Sequence, residues 1–235
     1  MKHIRLTAFL AFLTFGSVSL VAADFRLASA ISDHMVLQRE KPVSIWGWAD
    51  AGETVTVAFA GQSKSATAGT DGKWSLKLDA LTASAEPRAL LVTGKEGHKV
   101  EVKDVLVGEV WLGSGQSNMA MTVAGCYHFD AEKAAAKYPL IRHYRESSGP
   151  SDTPQAEGKG AWQICTPENV GGFSAALYFF GREIHKEVGV PVGLINTSVG
   201  GTPIESWVAA EVQSSDPETK ANYDTRLEAH RKFDP

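Results

Sequence analysis

The 235-residue chain is short of cysteine, of excess positive charge and, beyond its N-terminus, of long apolar runs, and each shortage narrows what it can do. Two cysteines, Cys126 and Cys165, are too few for a disulfide-stapled scaffold. Neither forms a C-x-x-C pair or stands with paired histidines at ligand spacing, so no zinc site is expected. With 23 basic and 27 acidic side chains the net charge is −4, which leaves no cationic field to hold a phosphate backbone or an anionic lipid surface. Nucleic acid is therefore not an expected partner. The 43% hydrophobic content, 22 glycines and 10 prolines belong to an ordinary globular chain of one or two domains, not to a disordered or collagenous one.

A long apolar stretch occurs at the N-terminus, where Leu6 to Val21 follow Lys2 and Arg5 and lead into Val21-Ala22-Ala23. Thr7, Thr14, Gly16, Ser17 and Ser19 interrupt it, and it falls short of the roughly 20 strongly apolar residues of a membrane span. The pattern predicts a signal peptide at 1–23 cleaved before Asp24, no span after cleavage, and a secreted or periplasmic product. Loss of Lys2 and Arg5 takes the net charge to −6. In an oxidising compartment Cys126 and Cys165 are open to pairing, which would remove roughly 4 kcal/mol of unfolded-chain freedom. Two free buried thiols are the other reading, and the sequence leaves both open.

From Asp24 to about Lys103, short alternating runs at Val43 to Trp46, Thr54 to Phe59, Trp74 to Leu78, Ala89 to Val92 and His98 to Val102 have the period of strands. Turns separate them, with Asp71-Gly72 the strongest hairpin signal. Residues 24–104 are expected to form an all-β, sandwich-like domain.

After Lys103 strand and helix signals alternate. Val105 to Leu112, Leu140 to Tyr144 and Val190 to Asn196 are strand candidates, the last with the unbroken apolar character of a strand buried on both faces. Phe173, Leu177, Phe180, Ile184 and Val188 mark one face of a helix that Gly189 and Pro191 stop. Residues 105–235 are thus expected to be an α/β domain with right-handed crossovers. The segment 147–159 reads as a surface loop, and Pro217 to Arg231 as a helix with a thin apolar stripe.

The chemistry concentrates after the first of these strands, in Gly113-Ser114-Gly115-Gln116-Ser117-Asn118-Met119. Ligands of open α/β sheets bind at that strand edge. A dinucleotide fingerprint would need glycine where Asn118 stands, and no phosphate-loop lysine follows. A G-x-S-x-G nucleophile elbow would need glycine where Met119 stands. A turn that uses glycine only for its backbone angles is the remaining plain reading.

Gly115-Gln116-Ser117-Asn118-Met119 resembles the nucleophile block of the sialate O-acetylesterase and acetylxylan-esterase branch of the SGNH hydrolases. Pro191 to Asn196 leading into Ser198-Val199-Gly200-Gly201-Thr202-Pro203-Ile204-Glu205-Ser206-Trp207 is similar to the same family's glycine-glycine-threonine segment, and Phe173 to Gly181 to the helix before it. Ser32-Asp33-His34-Met35-Val36-Leu37-Gln38 resembles the family's N-terminal region.

The resemblance implies an SGNH-type α/β domain and a serine esterase acting on O-acetyl groups of sugars without metal or organic cofactor. Ser117 would be the nucleophile, forming an acyl-enzyme that water hydrolyses. Gln116, Asn118, Gly200, Gly201 and Thr202 would form the oxyanion and substrate site, with Asn196 a further amide candidate. Glu205 has a simpler role available than substrate contact, because Thr202-Pro203-Ile204-Glu205 reads as a helix capping box, and Trp207 reads as a packing residue on that helix, with sugar stacking as its alternative.

The family's Asp-x-x-His block, which would supply the base, is missing. Of the histidines after residue 23, namely His34, His98, His128, His143, His185 and His230, none follows an aspartate at that spacing. His128 is the nearest stand-in in sequence. The 131 positions from Val105 to Pro235 accommodate about three strand-helix units of roughly 30 residues, fewer than the family's sheet requires. The α/β domain is thus expected to be incomplete at its C-terminal side, with histidine and aspartate supplied by a missing segment. A non-catalytic carbohydrate-binding or degenerate module is the alternative of a different class, and acetylxylan esterase the alternative substrate.

Overall fold

The computed structural model describes residues 24–233 apart from 150 and 152, so the signal peptide expected at 1–23 lies outside the described residues. The first half contains β1 (Arg26–Leu27), β2 (Val36–Gln38), β3 (Val43–Trp48), β4 (Thr54–Phe59), β5 (Gln62–Thr67), β6 (Lys73–Leu78), β7 (Ser84–Thr93) and β8 (Lys99–Gly113). Alternation sets their faces: in β4 Val55, Val57 and Phe59 are buried while Thr54 is exposed. These side chains, with Ile45, Leu78, Leu90 and Val92, form one apolar core between a three-stranded sheet, β1-β3-β6, and the β5-β4-β7-β8 part of a larger one.

Asp71-Gly72 is a turn but not the hairpin expected there. It carries the chain from β5 in one sheet to β6 in the other, while the two-residue hairpin lies at Ala60-Gly61, where Phe59 pairs with Gln62. Both turn residues have the positive φ that such a loop demands, 48° and 79°. Strand β5, of sequence QSKSAT, has no large apolar residue, so its pairing left no trace in the hydrophobic pattern.

The second half contains α1 (Ser117–Ala120), α2 (Phe129–Ala135), β9 (Tyr138–Glu146), β10 (Gly160–Cys165), α3 (Ala175–Val188), β11 (Val192–Asn196), α4 (Ala210–Ser215) and α5 (Pro217–Phe233). Strand β11 runs parallel to both β8 and β9, whereas β10 adds an antiparallel edge beside β9. Helix α3 follows the expected period, capped by the Ser174 hydroxyl at its start and by Gly189 at φ 66° at its end. Its buried stripe differs from expectation. Leu177, Tyr178 and Gly181 face the sheet, while Phe180 is 40% exposed and meets Trp111 edge to face. The Trp111 segment of β8, Glu109–Gly113, pairs with β11 on one side and with no strand on the other among the described residues, so Phe180 lies over an open sheet edge. Leu112, 65% exposed, lies on the same segment.

Strand β8 passes without interruption through the boundary expected at 104/105, and one eight-stranded sheet, β10-β9-β11-β8-β7-β4-β5 with β2 beside β8, spans both halves. Its only non-glycine residue with positive φ is Asp104, at 55°. Arg142 from β9 holds the Asp104 carboxylate through both oxygens at 2.6 and 3.2 Å, and His34 Nδ1 approaches it to 2.6 Å. Partial burial works to raise the Asp104 carboxyl, but the Arg142 and His34 hydrogen bonds outweigh it and hold it below the usual carboxylate range. A second core, built from Val123, Ile141, Phe173, Tyr178, Val192 and Leu194, fills the space between the β8-β11-β9 face and α3. Among the described residues no helix is long and apolar enough to cross a membrane.

Candidate active site

Strand β8 ends at Gly113 and the chain turns at once into α1, placing Ser117 at the first position of a single helical turn at the carboxyl edge of the parallel strands. Gly115, at φ 132°, makes this turn in a region that side chains strain to enter. The turn is stitched to the segment after β11. Thr197 N–H donates to Gly113 O at 3.0 Å, Val199 N–H donates to Gly115 O at 2.9 Å, and the Gln116 side-chain amide donates to Thr202 O. Gly200 comes to rest against the serine: a Cβ built there would stand 3.6 Å from Ser117 Oγ and 3.8 Å from its Cα. The two motifs picked out in the sequence, more than 80 positions apart, therefore form one site.

Each expected site residue has a definite place. Ser117, Gln116 and Asn118 line an open cleft of about 610 Å³, together with Ser114, Gly115 and Met119 of the same turn, and Ala176, Ile204 and Trp207 opposite. Gly200 abuts Ser117, and Gly201, at φ 81°, lets the chain turn away from it. Thr202 acts from behind the cleft wall. Its carbonyl accepts from Gln116, its hydroxyl donates to Val199 O at 2.9 Å, and the same hydroxyl oxygen accepts from Trp207 Nε1 at 3.0 Å. Asn196 is buried, with Oδ1 taken up by the amide and hydroxyl of Ser198.

The capping box does not form. Ile204–Trp207 is a short 3-10 turn with no side-chain cap, and Glu205 instead pairs with Arg226 of α5 at 3.4 Å. The Thr202 hydroxyl instead donates to Val199 O and accepts from Trp207 Nε1. Trp207 lines the cleft.

Sequence reasoning missed the support beneath the nucleophile. Ser174, fully buried, donates its hydroxyl to Met119 O at 2.6 Å while capping α3. Ala175 N–H donates to Met121 O, and Val123 N–H to Phe173 O, so the chain just after α1 is laced to the start of α3. Ser174 N–H in turn donates to Nε2 of the buried His143, whose ring stacks on Phe173 at 4.5 Å. With Nε2 accepting, the proton is on Nδ1, which has no hydrogen-bond partner among the described residues. Burial, with a smaller contribution from the Arg145 charge, pushes the His143 pKa down to about 4. The N-cap serine before an amphipathic helix was a visible signal; its second bond, across 55 positions, was not.

The other described imidazoles have partners elsewhere. His34 meets Asp104, His98 meets Glu53, and His185 meets Val190 O. His128 is exposed against Tyr127 in a left-handed conformation. Among the described residues, Ser117 Oγ makes no hydrogen bond. Cys126 and Cys165 are free thiols here, Cys126 partly exposed and Cys165 buried, and burial pushes the Cys165 thiol up to about 12.

A serine in the turn off a parallel strand, facing a glycine of the loop that follows the neighbouring strand, on this mixed α/β scaffold, belongs to an SGNH-type hydrolase fold. A sequence model of the family described as "Carbohydrate esterase, sialic acid-specific acetylesterase" matches residues 107–232, and the chain belongs to that family. It is 36% identical over 201 residues to the sialate O-acetylesterases of Rattus norvegicus and Homo sapiens, an alignment that takes in 78% of this chain. A solved carbohydrate acetylesterase from Xanthomonas citri superposes with a TM-score of 0.77 at 35% identity, covering 81% of this chain and 44% of that one. The chain spans 37–38% of the length of these two curated relatives.

Proposed function

We propose that this protein is a serine esterase that removes O-acetyl groups from sialic acid or related acetylated glycans through an acyl-enzyme on Ser117. The observation that carries the reading is the meeting of Ser117 and Gly200 at the mouth of an open cleft on the carboxyl edge of the sheet. Ser117 attacks the acetyl carbonyl, the sugar alcohol leaves, and water releases acetate. The tetrahedral oxyanion needs fixed N–H donors. The Ser117 N–H at the start of α1 and the Gly200 N–H are the main-chain candidates, with Asn118 the side-chain amide nearest in sequence. Gln116 serves by fixing the Thr202 carbonyl, which holds the two segments together.

The proton of Ser117 requires a base that no described imidazole provides at hydrogen-bond distance. Our reading assigns the histidine and aspartate to a further segment that continues the sheet at the open edge of Glu109–Gly113. The exposure of Leu112 and Trp111 along that edge supports this, as does the greater length of the relatives. Domain limits of 24–104 and 105–235 and export after cleavage at Ala23 are part of the same proposal.

The test is acetate release from O-acetylated sialic acid and from acetylated xylan by the full-length protein and its Ser117→Ala variant. Turnover by the parent and none by the variant is expected. Equal turnover by both would overturn the assignment of the nucleophile, and preference for xylan would move the substrate to the acetylxylan branch.

A further inference from the structure

We propose that Trp207 is the platform on which the sugar ring carrying the acetyl group stacks, so that it sets selectivity for sugar esters over simple acetyl esters. The inference rests on the esterase reading of the cleft. A volume of about 610 Å³ is in the range that encloses a sugar-sized ligand; an acetyl group alone would leave most of it empty. Its two sides differ in chemistry. Ser114, Gln116, Ser117 and Asn118 present hydroxyls and amides, while Ile204 and Trp207 form an apolar wall, with Ile204 69% exposed. A pyranose has the matching amphipathy, with C–H bonds on its ring faces and hydroxyls around its rim. The negative face of an indole attracts such C–H groups and the hydrocarbon area is buried with them.

The indole is also held for the purpose. Trp207 Nε1 donates to Thr202 Oγ1 at 3.0 Å, and the single hydroxyl proton of Thr202 goes to Val199 O at 2.9 Å. Thr202 can therefore only accept from the indole, and it is itself fastened to the nucleophile turn through Gln116. The ring plane is thus fixed relative to Ser117 before substrate arrives, and a pre-set contact loses little freedom on binding.

The experiment compares kcat/KM for O-acetylated sialic acid with that for methyl acetate, in the full-length protein and in Trp207→Ala and Trp207→Phe. Methyl acetate replaces the usual nitrophenyl ester because a nitrophenyl ring would itself stack on the indole. The ratio of the two constants, taken on one preparation, cancels any loss of folded protein. It is expected to fall about tenfold in Trp207→Ala, or about 1.4 kcal/mol, mainly through KM, and to recover most of the way in Trp207→Phe. An unchanged ratio in Trp207→Ala overturns the platform while leaving the esterase reading intact. Should the parent hydrolyse neither ester, that reading fails by itself. Calorimetric titration of the acetylated sugar into parent and Trp207→Ala then decides the platform: an affinity about tenfold weaker in the variant supports it, and equal or undetectable binding in both overturns it.

Discussion

Gly200 leaves the Ser117 hydroxyl bare: a methyl group in place of its hydrogen would stand 3.6 Å from Oγ, in ordinary contact with the nucleophile and with nothing else within 4 Å except the Ser117 α carbon. Its neighbour Gly201 is different, because its φ of 81° is one that side chains resist, although a Cβ there would meet open space. Gly200→Ala is accordingly expected to keep the parent melting temperature while lowering kcat on acetyl esters about tenfold, by crowding the position where the carbonyl must sit. Gly201→Ala is expected to lose about 1 kcal/mol of stability in urea titration. Equal melting and equal turnover in Gly200→Ala would mean that the carbonyl approaches from another side.

Removing the Ser174 hydroxyl takes away both the α3 cap and the bond to Met119 O, and reaches the cleft only through Met119. Ser174→Ala is expected to lose about 1–2 kcal/mol of stability. Because the bond positions the turn that begins with Ser117, kcat should fall while KM for a sugar ester stays near the parent value. Ser174→Thr, which keeps a hydroxyl, should recover part of the rate.

His143 gives the protein an acid-sensitive core. Its pKa of about 4 lies below the ordinary 6.5, so between these values the unfolded chain binds more protons than the folded one. Stability is complete above about pH 6.5 and declines as the pH falls toward 4, by up to about 3 kcal/mol from this group. Urea titrations across that range should show the slope, and His143→Gln, which cannot protonate but still offers Ser174 N–H an acceptor, should flatten it.

Arg142 is almost fully buried and bidentate on Asp104, so replacing it leaves a partly buried carboxylate without its main partner. Arg142→Met is expected to lower unfolding stability by about 3 kcal/mol. The double variant with Asp104→Asn should recover part of this loss, and a double-mutant cycle reads the coupling.

Thiol chemistry separates the two cysteines. Cys165 is buried with its thiol pushed up to about 12, whereas Cys126 is partly exposed. Iodoacetamide at pH 8 should alkylate Cys126 in the folded protein and reach Cys165 only in denaturant, as read by peptide mass.

Strands with inward aliphatic residues, such as β4 and β11, and helix α3 were legible because burial on one face dictates period two or period 3.6. The nucleophile turn and the glycine segment were legible through their resemblance to the blocks of a known esterase family, which residue chemistry alone left undecided. Three kinds of feature were not. Strand β5 has no large apolar residue, and β10 (GAWQIC), just past the expected loop, was not singled out as a strand. The passage of β8 through Asp104 depends on Arg142, 38 positions later, which no local pattern can signal. Thr202 matched a capping box in type and spacing, but its hydroxyl bonds Val199 and Trp207, three and five positions away, instead of a helix N-terminus.

Strand β8 acts as a beam. From Asp104 to Gly113 it extends nine residues, about 30 Å at the usual rise per residue, and Ser117 hangs from its far end. Pairing with β7, β2 and β11 along that length ties it into the sheet, so the nucleophile is aimed by the same hydrogen-bonded strands that join the two halves of the chain.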